Sequence, residues 1–179
     1  MGIQAIPTKY KGIQFRSRLE ATWAAFFDGI GWPYQYEPIA LAGYIPDFVI
    51  PFPKAPLLVE VKPVFTIAEL GQYTDKIEAS GWTREAMVVG TEPLSAEDVD
   101  PIMGLVSQRE KYEAGWDAAV MHRCAACKRI SIHHYSGLWD CYACGAYDGD
   151  GLLCPLDMGE IMDRWNEAKN LVQWRKAGD

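Results

Sequence analysis

The chain has no long uninterrupted apolar run, and so offers no transmembrane helix. Its N-terminus lacks the basic-then-apolar layout of a secretory signal. It carries no low-complexity tract and no internal repeat. Positive charge is the minority sign: 17 Lys and Arg stand against 24 Asp and Glu, a net charge of −7. That balance argues against a protein that coats nucleic acid over its whole surface. These absences leave an intracellular, cytoplasmic protein as the expectation. At 179 residues, 49% of them hydrophobic, the chain can build a real core as one domain, or as one with a small appendage.

What is present is a charged interruption of an apolar hairpin. Tyr44-Ile45-Pro46-Asp47-Phe48-Val49-Ile50 and Leu57-Leu58-Val59-Glu60-Val61-Lys62 are two apolar runs of strand length joined by a proline-rich connection, which reads as a β-hairpin. Asp47 interrupts the first run. Glu60 and Lys62 interrupt the end of the second and share one strand face, with Val61 on the other. Charge in an apolar strand is costly unless paired or metal-bound. One reading is an internal Asp47–Lys62 ion pair with Glu60 pointing to water. The other is a divalent-metal site, where a hard cation relieves the repulsion of two carboxylates and a lysine stands beside the metal-bound water.

Pro46-Asp47, followed after twelve residues by Glu60-Val61-Lys62, resembles the signature of the PD-(D/E)XK nuclease superfamily. That family takes in restriction enzymes, phage recombination exonucleases, transposon end-cleaving nucleases and junction resolvases. Its pattern expects an acid on the helix before the hairpin, and Glu20 sits where one would look. The likeness covers roughly residues 14–90 and leaves the cysteines unexplained. It implies a restriction-endonuclease-like mixed α/β fold. It also implies Mg²⁺ or Mn²⁺ held by Asp47, Glu60 and the Val61 carbonyl, with Glu20 binding directly or through water. Lys62 would stabilise charge on the phosphate oxygens, and cleavage would leave a 5′-phosphate and a 3′-hydroxyl.

The rest of the chain follows in order. Residues 1–18 carry Lys9, Lys11, Arg16 and Arg18 and no acid. This is a basic arm suited to a phosphate backbone, or else a solubilising charge pattern. Its first 13 residues read as irregular. A helix is predicted from about Arg16 to Gly29 or Gly31, with Leu19, Trp23, Phe26, Phe27 and Ile30 as its buried stripe. Ser17 and Glu20 match a capping box, which gives Glu20 a structural role that competes with the metal role. Residues 33–38 read as a short aromatic strand in which Glu37 is a further acid. Thr66 caps a predicted helix over about 67–80, closed by Gly81. Gln72 and Lys76 share a face of that helix, and the resemblance puts a polar residue for the site or for DNA there. Residues 85–90 read as a strand with a parallel neighbour. Residues 95–112 read as a helix with a Ser95–Asp98 capping pattern, weakened by Gly104. Residues 116–121 read as a last strand, and 157–176 as an amphipathic helix through Met158, Ile161, Trp165, Leu171, Val172 and Trp174.

Cys124-x-x-Cys127 and Cys141-x-x-Cys144, thirteen residues apart, form the pattern of a four-thiolate zinc site. Four thiolates leave no open position, so the zinc is structural. An intracellular chain with doubled spacing disfavours disulfides. Between the knuckles, Lys128, Arg129, His133, His134, Tyr135 and Trp139 suit nucleic-acid contact. Alternatively, Ile130, Ile132 and Trp139 make a mini-core around the metal. His122 or His133 stands as a substitute ligand, and Cys154 reads as a small buried cysteine.

The expectation is therefore a nuclease core over 1–121, a zinc ribbon over 122–148, and a helix over 149–179 packing on either. It would cut DNA, with RNA left open, have no membrane partner, and leave a homodimer open. On resemblance alone it fits a phage or mobile-element protein. A catalytically degenerate nuclease-like binding module and a purely structural zinc protein are the competing expectations.

Overall fold

Ser17 starts the first helix by accepting the Glu20 amide, and α1 runs Arg18–Ile30 until Gly31 stops it. Its apolar face is nearly sealed: Trp23, Phe26 and Phe27 are fully buried. Trp23 and Phe26 lie against Trp165, with ring centroids 4.7 and 5.6 Å apart. Trp165 belongs to the terminal helix. In this computed structural model, which describes residues 5–96, 99–108, 115–136 and 140–173, the terminal helix therefore packs mainly on α1.

Between the helices lies an eight-stranded sheet. The short β1 (Thr8–Tyr10) and β2 (Ile13–Phe15) make a separate hairpin ahead of α1. The first 13 residues are thus not wholly irregular. Lys11 and Gly12 both adopt positive φ, as a two-residue hairpin turn requires. In the main sheet, β3 (Gln35–Tyr36), β4 (Phe48–Ile50) and β5 (Leu57–Val61) run antiparallel. The chain then crosses over through α2 (Ile67–Leu70), one 3₁₀ turn and α3 (Thr74–Ala79). It returns as β6 (Ala86–Ala96), parallel to β5. This is the expected crossover, with Thr66 as the expected cap. Antiparallel β7 (Val99–Gln108) and β8 (Gly115–Cys124) follow, and β8 takes both β9 (Ile130–His134) and β10 (Leu153–Pro155) before α4 (Met158–Val172). One apolar cluster lies under α1 and α4. A second, around Leu58, Leu70, Ile77 and Val88, lies under α2 and α3. The fold is mixed α/β with a mostly antiparallel sheet. No helix among the described residues is long and apolar enough to cross a membrane.

The helix expected over 95–112 is not there. Residues up to 96 complete β6, and 99–108 form β7. Glu97, Asp98 and residues 109–112 lie outside the described residues, as do Trp139 and Trp174. Ser95, the expected cap of that helix, lies within β6. Gly104 is the determinant. It pairs with Val89 beside a register shift, and an added Cβ would run into the Val88 carbonyl oxygen. Gly104→Ala is expected to cost about 1–3 kcal/mol of overpacking, read as a lower thermal midpoint. Gly71→Ala, whose added Cβ meets nothing within 4 Å, serves as the near-neutral control.

The ribbon is not set apart from this sheet. β8 runs unbroken through position 121 into the first knuckle at Cys124, so the expected boundary at 121/122 falls inside a strand.

Candidate functional site

Two sites emerge, one of sulfur and one of oxygen. Cys124 ends β8, and each knuckle turns tightly. The Lys128 amide donates to the Cys124 carbonyl (2.8 Å) and the Gly145 amide to the Cys141 carbonyl (2.6 Å). Lys128 and Gly145 both take positive φ, 64° and 74°. The Ala143 amide donates to Ser131 Oγ and the Cys144 amide to the Cys141 carbonyl, both at 3.2 Å. All four sulfurs lie within 4.8 Å of one another. Cys124–Cys144 and Cys127–Cys141 are 3.8 and 3.9 Å apart. A tetrahedral ion with Zn–S bonds of about 2.3 Å needs sulfurs about 3.8 Å apart. The four cysteines could hold a metal ion such as zinc.

The histidines take no part in it. His122 and His133 face each other at 3.1 Å between their Nδ1 atoms. Burial, then His133, lowers the His122 pKa to about 3. His134 pairs with the Tyr142 hydroxyl at 2.9 Å. His133 and His134 are buried, as are Ile130 and Ile132, while Tyr135 is half exposed. The mini-core is therefore real for the isoleucines, and the two histidines are not free to meet nucleic acid. Cys154 is exposed rather than buried.

The oxygen site lies at the open end of the β4–β5 hairpin. The ladder pairs Phe48 with Val59. The same register sets Asp47 opposite Glu60 and Pro46 opposite Val61. Asp47 and Glu60 are 3% and 4% exposed. The Val61 amide donates to Asp47 Oδ2 at 2.8 Å. Pro46 has no N–H, so the ladder supplies no donor to the Val61 carbonyl. Glu60 accepts from Tyr44 Oη at 2.6 Å and pairs with Lys62. Burial, then Glu60, raises the Tyr44 pKa, which keeps that hydroxyl a donor. Burial first and Glu60 second push the Asp47 carboxyl up to about 7, against the Val61 amide and Lys62. On the other side, Glu20 accepts from Tyr36 Oη (2.6 Å) and the Arg16 amide (3.2 Å), and Ser17 Oγ bonds it at 2.9 Å. The Ser17 cap forms, but the Glu20 carboxylate takes the Arg16 amide and the Ser17 hydroxyl instead of the Ser17 amide a capping box would use.

Arg16 was expected in a basic arm, but it lies across these acids. It bonds Asp47 at 2.5 Å and Glu37 at 2.8 Å, and approaches Glu20 at 3.9 Å. The ion pair that forms is Arg16–Asp47, while Lys62 pairs with Glu60 instead of Asp47. Among the described residues, the four cysteines are the one group of three or more His, Cys, Asp or Glu whose ligand atoms lie so close together. Glu20, Asp47 and Glu60 do not form a second. Their oxygens and the Val61 carbonyl are nonetheless a hard donor set of the kind Mg²⁺ and Mn²⁺ take.

The other expected contacts scatter. Lys11 pairs with Asp28 at 3.0 Å. Lys9, Arg18, Gln72, Lys128 and Arg129 are exposed. Lys76 lies over the Tyr44 ring at 5.0 Å, and Lys62 over Tyr73 at 5.3 Å. A cleft of about 390 Å³ opens beside Glu20 and Val61, lined also by Ile6, Arg18, Leu19 and Pro63, while Asp47 and Glu60 lie outside its lining. The ribbon meets the opposite, turn end of the hairpin. There Phe52 packs on Tyr142 at 6.3 Å, and Lys54 pairs with Asp140. Lys128 and Arg129 sit on that ribbon, not on the acids. Tyr36 and Tyr44, which fix the two glutamates, were missed. Nothing local pointed to either: Tyr44 stands an odd three residues before Asp47, which strand alternation would put on the opposite face. No family model, curated protein or solved structure matches the chain, so the functional reading rests on this geometry.

Proposed function

We propose that the chain is a divalent-metal-dependent nuclease of the PD-(D/E)XK type that hydrolyses DNA to 5′-phosphate and 3′-hydroxyl ends. One observation carries the reading. Asp47 and Glu60 are buried opposite each other beside Lys62, at a strand end where Pro46 leaves the Val61 carbonyl without a ladder donor. When bound there, Mg²⁺ or Mn²⁺ would polarise the phosphate and acidify a water. Asp47 is aimed by the Val61 amide and Glu60 by Tyr44. Lys62, held over Tyr73, offers an ammonium to charge building on the phosphate oxygens. The ribbon, braced on the hairpin turn, supports the scaffold.

The test is cleavage of circular duplex and circular single-stranded DNA by the zinc-loaded protein, with Mg²⁺, with Mn²⁺ and without added divalent ion. Nicking that needs the ion and disappears in Lys62→Ala and Asp47→Ala supports the proposal. Intact circles, linear and branched substrates under every condition defeat it.

A further expectation concerns Phe65, which is 63% exposed three residues beyond Lys62. Stacking of a base on an aromatic ring is worth about 1–3 kcal/mol. Phe65→Ala should therefore raise KM roughly 5- to 150-fold while leaving the thermal midpoint in place.

A second reading has one observation in its favour: Arg16 already occupies the acids. On that reading the chain is a nuclease-like module that binds nucleic acid or a protein without cutting. Substrate binding that survives with no cleavage, and no effect of Mn²⁺ on stability, would select it.

A further inference from the structure

We propose that Arg16 is an internal counter-ion that a divalent metal displaces from Asp47, and that the freed guanidinium then holds the substrate phosphate. This rests on the nuclease reading above.

One guanidinium here serves acids from three parts of the chain: Asp47 ahead of β4, Glu37 beyond β3 and, more distantly, Glu20 in α1. Asp47 Oδ2 is committed to the Val61 amide, so Arg16 takes the oxygen that remains, Oδ1. A metal held by Asp47 would draw on that same oxygen. Its charge would stand against the Arg16 Nη2 now on Oδ1, so the two cations compete for the carboxylate.

The contact is built to be released. The Arg16 side chain is 56% exposed where that of Asp47 is 4% exposed, so the guanidinium can swing outward without disturbing the core. Its backbone stays put, because the Arg16 amide is held by Tyr36 Oη at 3.0 Å and by Glu20 at 3.2 Å. Glu37 remains as a tether. Its φ of 44° is unusual for a residue with a side chain, and its amide is fixed on the Asp47 carbonyl at 2.9 Å. That strained position presents a partly exposed carboxylate to Arg16 Nε. Once off Asp47, Arg16 stands at the rim of the acids, where a phosphate must enter. A guanidinium matches two phosphate oxygens at once. Lys62 is already committed to Glu60, so the second cation has a role of its own.

The exchange predicts effects of opposite sign. Zinc-loaded wild type, Arg16→Ala, Arg16→Lys and Asp47→Asn are titrated with Mn²⁺, following free Mn²⁺ by electron paramagnetic resonance. Cleavage is then measured at saturating Mn²⁺. Arg16→Ala is expected to bind Mn²⁺ about tenfold tighter than wild type and to cleave about 100-fold more slowly. Arg16→Lys keeps the charge but loses the fork. It should show the same two signs at smaller size, and it carries the test if Arg16→Ala fails to retain zinc. Unchanged or weaker Mn²⁺ affinity in the Arg16 variants, with wild type binding and Asp47→Asn not, overturns the inference and leaves the nuclease reading standing. Tighter binding with undiminished cleavage also overturns it, through the phosphate step. Wild type that binds no more Mn²⁺ than Asp47→Asn overturns the nuclease reading itself, and the inference with it.

Discussion

Removal of zinc is expected to collapse the whole fold, not the ribbon alone. Cys124 and Cys141 are fully buried in the same cluster as Trp23 and Trp165. Trp32, just past α1, donates its indole N–H to the Ile130 carbonyl at 2.8 Å, and Phe52 at the hairpin turn packs on Tyr142. A metal held by the four cysteines would thus close one end of the main core. Structural zinc contributes about 10–16 kcal/mol of apparent binding free energy in small zinc domains. The net stability of a typical domain is only about 5–15 kcal/mol. Without the ion, burial pushes the Cys141 thiol up to about 12, so it keeps its proton and metal binding must expel it. Cys141→Ser should therefore lose zinc and fall by roughly 10 °C or more in thermal midpoint, if only a few kcal/mol are lost. Zinc content and tryptophan fluorescence, followed together on heating, check this. Cys154→Ser, at an exposed thiol, should change neither. If zinc leaves while Trp23 and Trp32 keep their native signal, the ribbon is an independent unit after all.

How much of this was legible depended on whether the governing contact is local. The hairpin acids could be found because strand alternation places Glu60 and Lys62 on one face whatever lies around them. The zinc site could be found because two knuckles carry their geometry in four residues each. The Ser17 cap and the Thr66 cap are equally local. β7 was misread because Pro101 and Gly104 interrupt any alternation in Val99–Gln108, while Ser95 and Asp98 imitate a cap. What makes it a strand is its fit against Val88 and Val89, far off in sequence. The β1–β2 turn was missed because Lys11 at positive φ is not a residue a turn rule selects. Arg16 was misplaced for the same kind of reason. Basic composition marks a side chain as cationic, but only the packing of α1 against the sheet end decides that it reaches an acid 31 positions away.

That packing gives Glu60→Gln two opposite consequences. On the proposed nuclease reading, cleavage should fall by several kcal/mol of lost charge stabilisation, roughly a thousandfold, because one of the two buried carboxylates is gone. Without added divalent ion, however, the variant should be more stable than wild type at pH 8. The sign follows from Asp47. Its carboxyl is pushed from an ordinary 3.8 up to about 7, by burial first and by Glu60 next. Between those pH values the folded state binds more protons than the unfolded chain, so stability is lost as pH rises through that window. About three pH units correspond to about 4 kcal/mol for the pair as an upper bound. The cost is absent below pH 4 and complete above pH 7. Neutralising Glu60 relieves part of it, about 1–2 kcal/mol, and the gain should fade on titration towards pH 4. Tyr44 still finds an oxygen on the glutamine, while the lost ion pair with the part-exposed Lys62 offsets some of the gain. Mn²⁺ should reverse the order. At a hundredfold excess over its Kd it raises wild-type stability by about 2.7 kcal/mol and leaves Glu60→Gln unmoved. Melting curves of both proteins at pH 5 and pH 8, with and without Mn²⁺, decide the matter. A variant less stable at pH 8, beside a wild type indifferent to Mn²⁺, would mean that Glu60 is an ordinary partner of Lys62. A crossing of the two curves on adding metal would mean that the hairpin holds its carboxylates together, at a cost in stability, for the sake of a cation.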